Sequence, residues 1–311
     1  MRWAVVFACP FALLGSCGGG SEGPGQVDAE RATSTEAPAM PTFEYLQHVH
    51  RPVAGVYSGA QPVGEAAFAE LAALGVRTII SVDGARPDAE AVRAHGMQYV
   101  HLPIQYAGID TQRRAELVAA LRDCERPIYV HCHHGLHRGP AATAYALVGL
   151  GELSAEAGLR FLAEAGTSQD YPGLFACVRE AGEAPPPAAA NAIDGRALPE
   201  ANFPGTIAQA MATIDQHWDN LQRTVEADWS TPAAHPDLVP AAEAGNLHDQ
   251  FRSLESFDDG PIPLMQDIRW AGRIAEQLEA AIVAQDVKQR KLQFNAMEAA
   301  CAQCHKRWRN K

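Results

Sequence analysis

The feature that most constrains this chain lies at residues 127–150. An apolar run, Pro127-Ile128-Tyr129-Val130-His131, passes directly into Cys132-His133-His134-Gly135-Leu136-His137-Arg138-Gly139-Pro140, and an Ala-rich segment from Ala141 to Leu150 follows. A strand that feeds a short loop and then a helix predicts an α/β sheet with the loop at the carboxyl end of the strand. Cysteine, five residues and arginine at that junction have a chemical purpose. Backbone N–H groups of residues 133–138 can curl around a tetrahedral oxyanion at a helix N-terminus, Arg138 can fork two of its oxygens, and Cys132 lies beneath the central atom. The same positive field favours a thiolate, so Cys132 reads as a nucleophile. His133, His134, Gly135, Leu136, His137 and Arg138 form the phosphate-binding set, with Gly135 permitting the tight loop. Four histidines, at 131, 133, 134 and 137, also invite a metal reading. Adjacent histidines on a tight loop rarely converge on one ion, and lining the rim or holding the loop by hydrogen bonds suits them better.

The flanking pattern agrees with an α/β body. Residues 76–82 and 98–102 read as further strands, and residues 65–74, 88–95 and 111–122 carry helical spacing, with Pro87 and Asp110 at helix starts. The expected sheet is largely parallel and flanked by helices. Residues 183–203 are Pro/Ala-rich with three consecutive prolines and read as an extended joint. Beyond it, Ile207, Met211, Ile214, Trp218, Leu221 and Val225 mark one apolar helical stripe. Similar stripes run over 244–254 and 268–282, and a fourth helix is expected from Asp286 to the C-terminus, giving an all-α four-helix bundle.

That last helix contains Cys301-Ala302-Gln303-Cys304-His305, the attachment signature for c-type haem. At i, i+3 and i+4 the two thiols and the imidazole share one helix face, so Cys301 and Cys304 can meet two vinyl groups while His305 binds iron. A zinc site needs further ligands nearby, and a thioredoxin-like pair needs a βαβ context. The expected cofactor is one covalent haem c. Met211 lies on the first apolar stripe, where a methionine ordinarily serves as core, and nothing in the spacing names a sixth ligand. His217 and His248 could also bind iron but more readily sit on a polar face.

Residues 1–17 have the form of a signal peptide, with a short apolar run ending in Leu14-Gly15-Ser16-Cys17. That ending resembles a bacterial lipobox with Cys17 as the lipidated residue, and residues 18–42 read as a flexible tether. The expected location is periplasmic, anchored to a bacterial membrane. Net charge is −12, which speaks against nucleic acid as a partner, yet residues 286–311 carry seven basic and only two acidic side chains. That basic end can steer an acidic redox protein, or it is a solvated helix face. Of the remaining cysteines, Cys177 is a better candidate than Cys124 to trap Cys132 as a disulfide.

Two resemblances organise these motifs. Within the first body, residues 43–182, about residues 43–165 resemble the dual-specificity branch of the cysteine phosphatases, through the His131-to-Arg138 loop and the run Val56-Tyr57-Ser58-Gly59-Ala60-Gln61-Pro62. Residues 204–311, through CxxCH followed by Lys306-Arg307-Trp308-Arg309, resemble the class II cytochromes c, the cytochrome c′ type. The first resemblance implies attack by Cys132 on a phosphorylated substrate, with Arg138 binding phosphate. Gly139 departs from it, since that family usually places a Ser or Thr there. The usual general acid is missing too; Asp110 is the candidate and Asp83 the second choice, and Asp110 also suits an N-cap. The second resemblance implies His305 as proximal ligand with Arg309 beside it, and Met211 where that family places either a sixth-ligand methionine or an apolar residue that covers the iron. It leaves electron transfer, gas or redox sensing, and a homodimer open. A rhodanese-type sulfur transferase also uses a loop cysteine, but the arginine favours phosphate. The phosphatase-like body is accordingly read as an enzyme or as an anion-binding module attached to a cytochrome.

Overall fold

The computed structural model describes residues 40–85, 88–201, 207–255 and 261–309. The leader with Cys17, nearly all of the tether, Pro87 and the end of the expected joint lie outside the described residues. Five strands form one sheet in the order β1 (His50–Val53), β2 (Val56–Ala60), β5 (Ile128–Cys132), β3 (Thr78–Ser81), β4 (Gln98–His101). β2, β5, β3 and β4 pair in parallel and β1 alone runs antiparallel. β2, β3 and β5 are buried at every residue, and a strand covered on both faces reads as an apolar run rather than as alternation.

Side-chain alternation sorts the strands into two cores. Tyr57, Ile79, Tyr99 and Tyr129 pack with Phe68 and Leu71 of α1 (Gly64–Ala73) and Val92 of α2 (Ala89–Ala94). Val56, Ile80, Val100, Ile128 and Val130 face the other way. They meet apolar residues of α3 (Thr111–Asp123), α4 (Arg138–Gly149), α5 (Ala155–Glu164) and α6 (Pro172–Glu183).

The Pro/Ala-rich segment, where it is described, is anchored to the first body. It forms two 3₁₀ turns, Ala188–Ala192 and Gly195–Ala197, strapped across the first body. Arg122 donates to Ala190 O (3.0 Å) and Ile193 O (2.9 Å), Gly195 N donates to Asp123, and His101 N of the edge strand β4 donates to Pro199 O at 2.9 Å. Prolines have no N–H to give, but their stretch keeps its carbonyls, and α3 and the β4 edge use them.

Four helices follow: α7 (Ile207–Glu226), α8 (Pro240–Leu254), α9 (Ile262–Val283) and α10 (Val287–Trp308). Pro240 and Pro263 occupy first turns, where a missing N–H costs nothing, and Asp286 caps α10 by accepting from Lys288 N and Gln289 N. Leu221, Leu247, Phe251, Leu254, Ile268, Leu278 and Met297 bring the expected stripes into a core continuous with that of the sheet. α8 is unusual, being buried at every residue from Pro240 to Asp249. A helix covered all round has partners on both sides. The other helices cover one side, and the loop after β5 covers the other. Among the described residues, no helix is long and apolar enough to cross a membrane.

Candidate functional site

Cys132 is the last residue of β5 and Arg138 the first of α4, so regular structure clamps the loop at both ends. Gly135 sits at φ +73°, and a Cβ there would lie 2.3 Å from Ala60 N of β2. Only glycine accepts both conditions. The loop turns its carbonyls outward: His133 O accepts from Gln61 N (3.0 Å), His134 O meets His48 Nδ1 (2.7 Å) and Leu136 O accepts from Thr167 Oγ1 (2.7 Å). Peptides anchored this way leave N–H groups for the concave side. α4 starts with no side-chain cap, so its first N–H groups join that set.

The histidines hold this loop. His131 Nε2 meets Tyr99 OH at 2.8 Å, and His137 Nδ1 accepts from Ser168 N at 3.3 Å. Burial lowers His131 and His137 to about 4 and His133 to about 3, and it lowers His134 as well, so all four are neutral. Of the four, among the described residues, only His133 and His134 bring ligand atoms together, within 4.8 Å of one another and of exposed Glu276.

Buried polar atoms without partners cluster here. Ser58 Oγ, His131 Nδ1, His133 Nδ1 and Arg138 Nε make no hydrogen bond, and each belongs to the loop or to the strand beside it. Orphaned buried groups are rare. Of the seven buried side-chain atoms that make no hydrogen bond among the described residues, these four gather at one loop, which is open to a water, an ion or a ligand; the others are His95 Nε2, Arg113 Nε and Arg290 Nε. Ser58 bears on the departure at Gly139. A Cβ at Gly139 would lie 3.4 Å from Ser58 Oγ and 3.5 Å from Cys132 Sγ. Buried Ser58 of β2 thus presents a hydroxyl close to where the cysteine phosphatases carry a Ser or Thr.

Arg138 is 1% exposed and lies in a nest of charges that the sequence did not reveal. Both of its terminal nitrogens bond the carboxylate of Asp249 of α8, Nη2 to Oδ1 at 3.1 Å. Nη2 also reaches Tyr106 OH (3.2 Å) and Asp83 Oδ1 (3.5 Å), and the guanidinium stacks 4.1 Å from the Tyr106 ring centroid. Arg252, one turn after Asp249, donates to both oxygens of Asp83 (2.9 and 2.8 Å), to Asp249 Oδ1 (3.4 Å) and to Gln61 (2.6 Å). Two buried arginines and two buried aspartates thus neutralise one another. Burial acts to raise the Asp83 carboxyl, but Arg252 and Arg138 outweigh it and hold it well below the usual carboxylate range. Asp83 is therefore a poor proton donor. Burial raises Asp249 to about 6, with the Asp83 charge adding to the rise and Arg138 opposing it.

Asp110 is exposed and caps α3, accepting from Arg113 N at 2.9 Å. No disulfide joins Cys132 to Cys177; the described cysteines are free, and Cys177 Sγ accepts from Ile109 N and Arg114 Nη2, each at 3.3 Å. Asp249, Arg252 and Tyr106 carried no signal in the sequence. A charged residue opposite an apolar stripe ordinarily faces solvent. Ser58 lay inside a recognised motif but was one buried strand residue among several.

Residues 49–147 match the beta-lactamase hydrolase-like protein, phosphatase-like domain. Solved structures similar to the chain include P. aeruginosa TpbA, 22% identical, with 44% of this chain and 89% of that one covered at a TM-score of 0.37. The core catalytic domain of the PP-IP phosphatase SIW14 from S. cerevisiae is 14% identical, covering 49% and 93% at 0.40. A DUF442 protein of Shewanella putrefaciens CN-32 is 19% identical, covering 44% and 90% at 0.38. No curated protein matches the chain.

The other expected site residues gather among the C-terminal helices. Cys301, Cys304 and His305 of α10 line a cavity with Met211, Ile214 and Trp218 of α7, Phe251 of α8, and Ile268 and Ala271 of α9, and Asp215 and Asp267 stand at its lining too. A second cavity, also lined by Met211, Cys304 and His305, reaches Trp308 and Arg309. Trp308 Nε1 and Arg307 fasten the end of α10 to Asp267 of α9. Burial pushes Cys301 up to about 11 and raises Cys304, so both are thiols at neutral pH. Two free thiols and an imidazole in one largely apolar cavity fit a covalently held haem. His217 and His248 point elsewhere: His217 Nδ1 meets Glu243 at 2.8 Å, and the His248 ring lies 5.5 Å from that of His133.

Proposed function

We propose that this chain is an exported, lipid-anchored c-type haem protein whose phosphatase-like domain hydrolyses phosphate monoesters through a phosphocysteine. The observation that carries the catalytic half is the loop from Cys132 to Arg138, with its outward carbonyls and the unpartnered Arg138 Nε, Ser58 Oγ and His133 Nδ1 around it. In this reading Cys132 Sγ bonds to phosphorus as the bond to the leaving oxygen breaks. Arg138 and the loop N–H groups spread the charge of the transferring group, and Asp110 gives the leaving oxygen its proton. Water then attacks phosphorus, loses a proton and releases inorganic phosphate. The returning thiolate accepts a hydrogen bond from Ser58.

The haem half rests on Cys301, Cys304 and His305 sharing one apolar cavity. Cys301 and Cys304 would hold the group covalently and His305 and Met211 would face its iron. When bound, it supplies a one-electron couple and an iron that can take a small ligand. Cys17 would tether the protein to a bacterial membrane on the periplasmic side, and the basic end of α10 would meet an acidic redox partner.

One observation favours a second reading. Gly139 offers no hydroxyl where the cysteine phosphatases carry one, as suits an anion-binding module attached to an electron-transfer cytochrome. Hydrolysis of an aryl phosphate by the haem-loaded chain, with Cys132→Ser alongside, separates the two. Turnover lost in Cys132→Ser supports the enzyme, and no turnover in either, nor in Asp249→Ala with Arg138 unpaired, supports the module. A covalent mass gain that vanishes in a Cys301→Ala/Cys304→Ala variant tests the haem.

A further inference from the structure

We propose that Asp249 is a built-in occupant of the phosphate site, so that the loop stays closed until α8 withdraws. This deepens the phosphatase reading and rests on it for the identity of the site. Asp249 presents two oxygens to the two terminal nitrogens of Arg138, which is how a phosphate would engage the same fork. Its side chain and that of Arg138 are both shut off from solvent, at 5% and 1% exposed, so no oxyanion can reach this fork with α8 in place.

Three further contacts seat the helix that carries it. Arg252 clamps Asp83, Ser253 Oγ donates to Gly84 O at 2.7 Å, and Gly245 lets Tyr106 approach so closely that a Cβ would stand 2.7 Å from its ring. All three partners belong to the phosphatase-like body. The occupancy is also incomplete. The carboxylate leaves Arg138 Nε without a partner, along with Ser58 Oγ and His133 Nδ1. A tetrahedral dianion offers more acceptor positions than a carboxylate, and can satisfy Arg138 Nε and the loop N–H groups as well. Asp249 is thus a weaker ligand than the one it imitates, as suits an occupant that must yield.

A site that is open in only a fraction of molecules binds its ligand more weakly by that fraction. The test is calorimetric titration of the full haem-loaded protein with inorganic phosphate, comparing the native chain, Asp249→Ala and Gly245→Ala, with aryl phosphate hydrolysis assayed in parallel. Gly245→Ala unseats α8 and leaves every charge in place. Phosphate affinity should rise about 10-fold or more in Asp249→Ala, and in the same direction in Gly245→Ala. If hydrolysis rises with it, the enzyme reading also stands; tighter binding with no hydrolysis in any protein keeps the occupant and removes the enzyme. Unchanged or weaker phosphate binding in a natively folded Asp249→Ala overturns the proposal, whatever the activity. If Asp249→Ala does not fold, because two buried arginines then face one aspartate, Gly245→Ala decides by the same criterion.

Discussion

Asp249 and Phe251 stand two residues apart on α8 and belong to different sites: Asp249 is paired with Arg138 of the phosphate loop, whereas Phe251 lines the cavity that holds Cys301, Cys304 and His305. Two residues turn an α-helix by about 200°, so one helix is the shared wall of both sites.

If motion of the shared wall couples the two sites, the coupling is the same in both directions. Sulfate affinity of the haem-loaded protein should differ at least about two-fold between ferric and ferrous forms, and saturating sulfate should shift the midpoint potential by the equivalent free energy. Calorimetry in both redox states and a potentiometric titration measure the two sides. Equal affinities and an unmoved potential would mean that α8 is a rigid partition.

Asp249, raised to about 6 by burial and by Asp83 against the pull of Arg138, predicts a pH dependence of anion binding. Below that value the carboxyl is protonated and its hold on Arg138 weakens, so a competing anion binds more tightly as pH falls through 6. Above it the carboxylate forms and binding weakens. The charged groups bonded to it do not titrate in this window: Asp83, linked through the same arginines, lies well below it, and Arg138 and Arg252 are raised. Sulfate, a dianion throughout, should show this step between pH 5 and 7 as the probe range, and Asp249→Asn should abolish it.

Ser58→Ala tests the hydroxyl beside Cys132. Losing one hydrogen bond worth about 1 to 1.5 kcal/mol to the departing thiolate slows breakdown of the phosphocysteine roughly 10-fold. Phosphate affinity should hardly change. Rapid-mixing kinetics should show a burst of released phenol followed by a slower steady state, which an inert core serine would not produce.

Asp110 has two separable roles. Asparagine caps helices about as well as aspartate, while alanine costs about 1 kcal/mol. Asp110→Asn should therefore keep the native denaturation midpoint, whereas Asp110→Ala lowers it. Both should slow hydrolysis of an alkyl phosphate on the order of 10²-fold and leave a nitrophenyl phosphate nearly untouched, because a good leaving group needs no proton. Equal effects on both substrates would confine Asp110 to capping.

What the sequence determined by itself was everything carried by short-range spacing. The run from Ile128 through Cys132 to Arg138 dictates strand, loop and helix within a dozen residues, because each step depends on neighbouring backbone hydrogen bonds and on one glycine, Gly135. The stripe from Ile207 to Val225 and the placing of Cys301, Cys304 and His305 on one helix face follow from helical periodicity alone. The anchoring of the Pro/Ala-rich segment is not legible in the sequence, because the partners of its carbonyls, Arg122 and His101, lie far along the chain. β1 was hidden for a similar reason, since its pairing with β2 defines it better than its composition does. Only the tertiary structure decided what meets Arg138. Asp249 lies 111 positions away, on a helix face that patterning assigns to solvent. Burial between two bodies turned that face into a contact, and a charge can be placed there only because Arg138 arrives from a distant part of the sequence, and Arg252 from the next turn of α8, to balance Asp249 and Asp83.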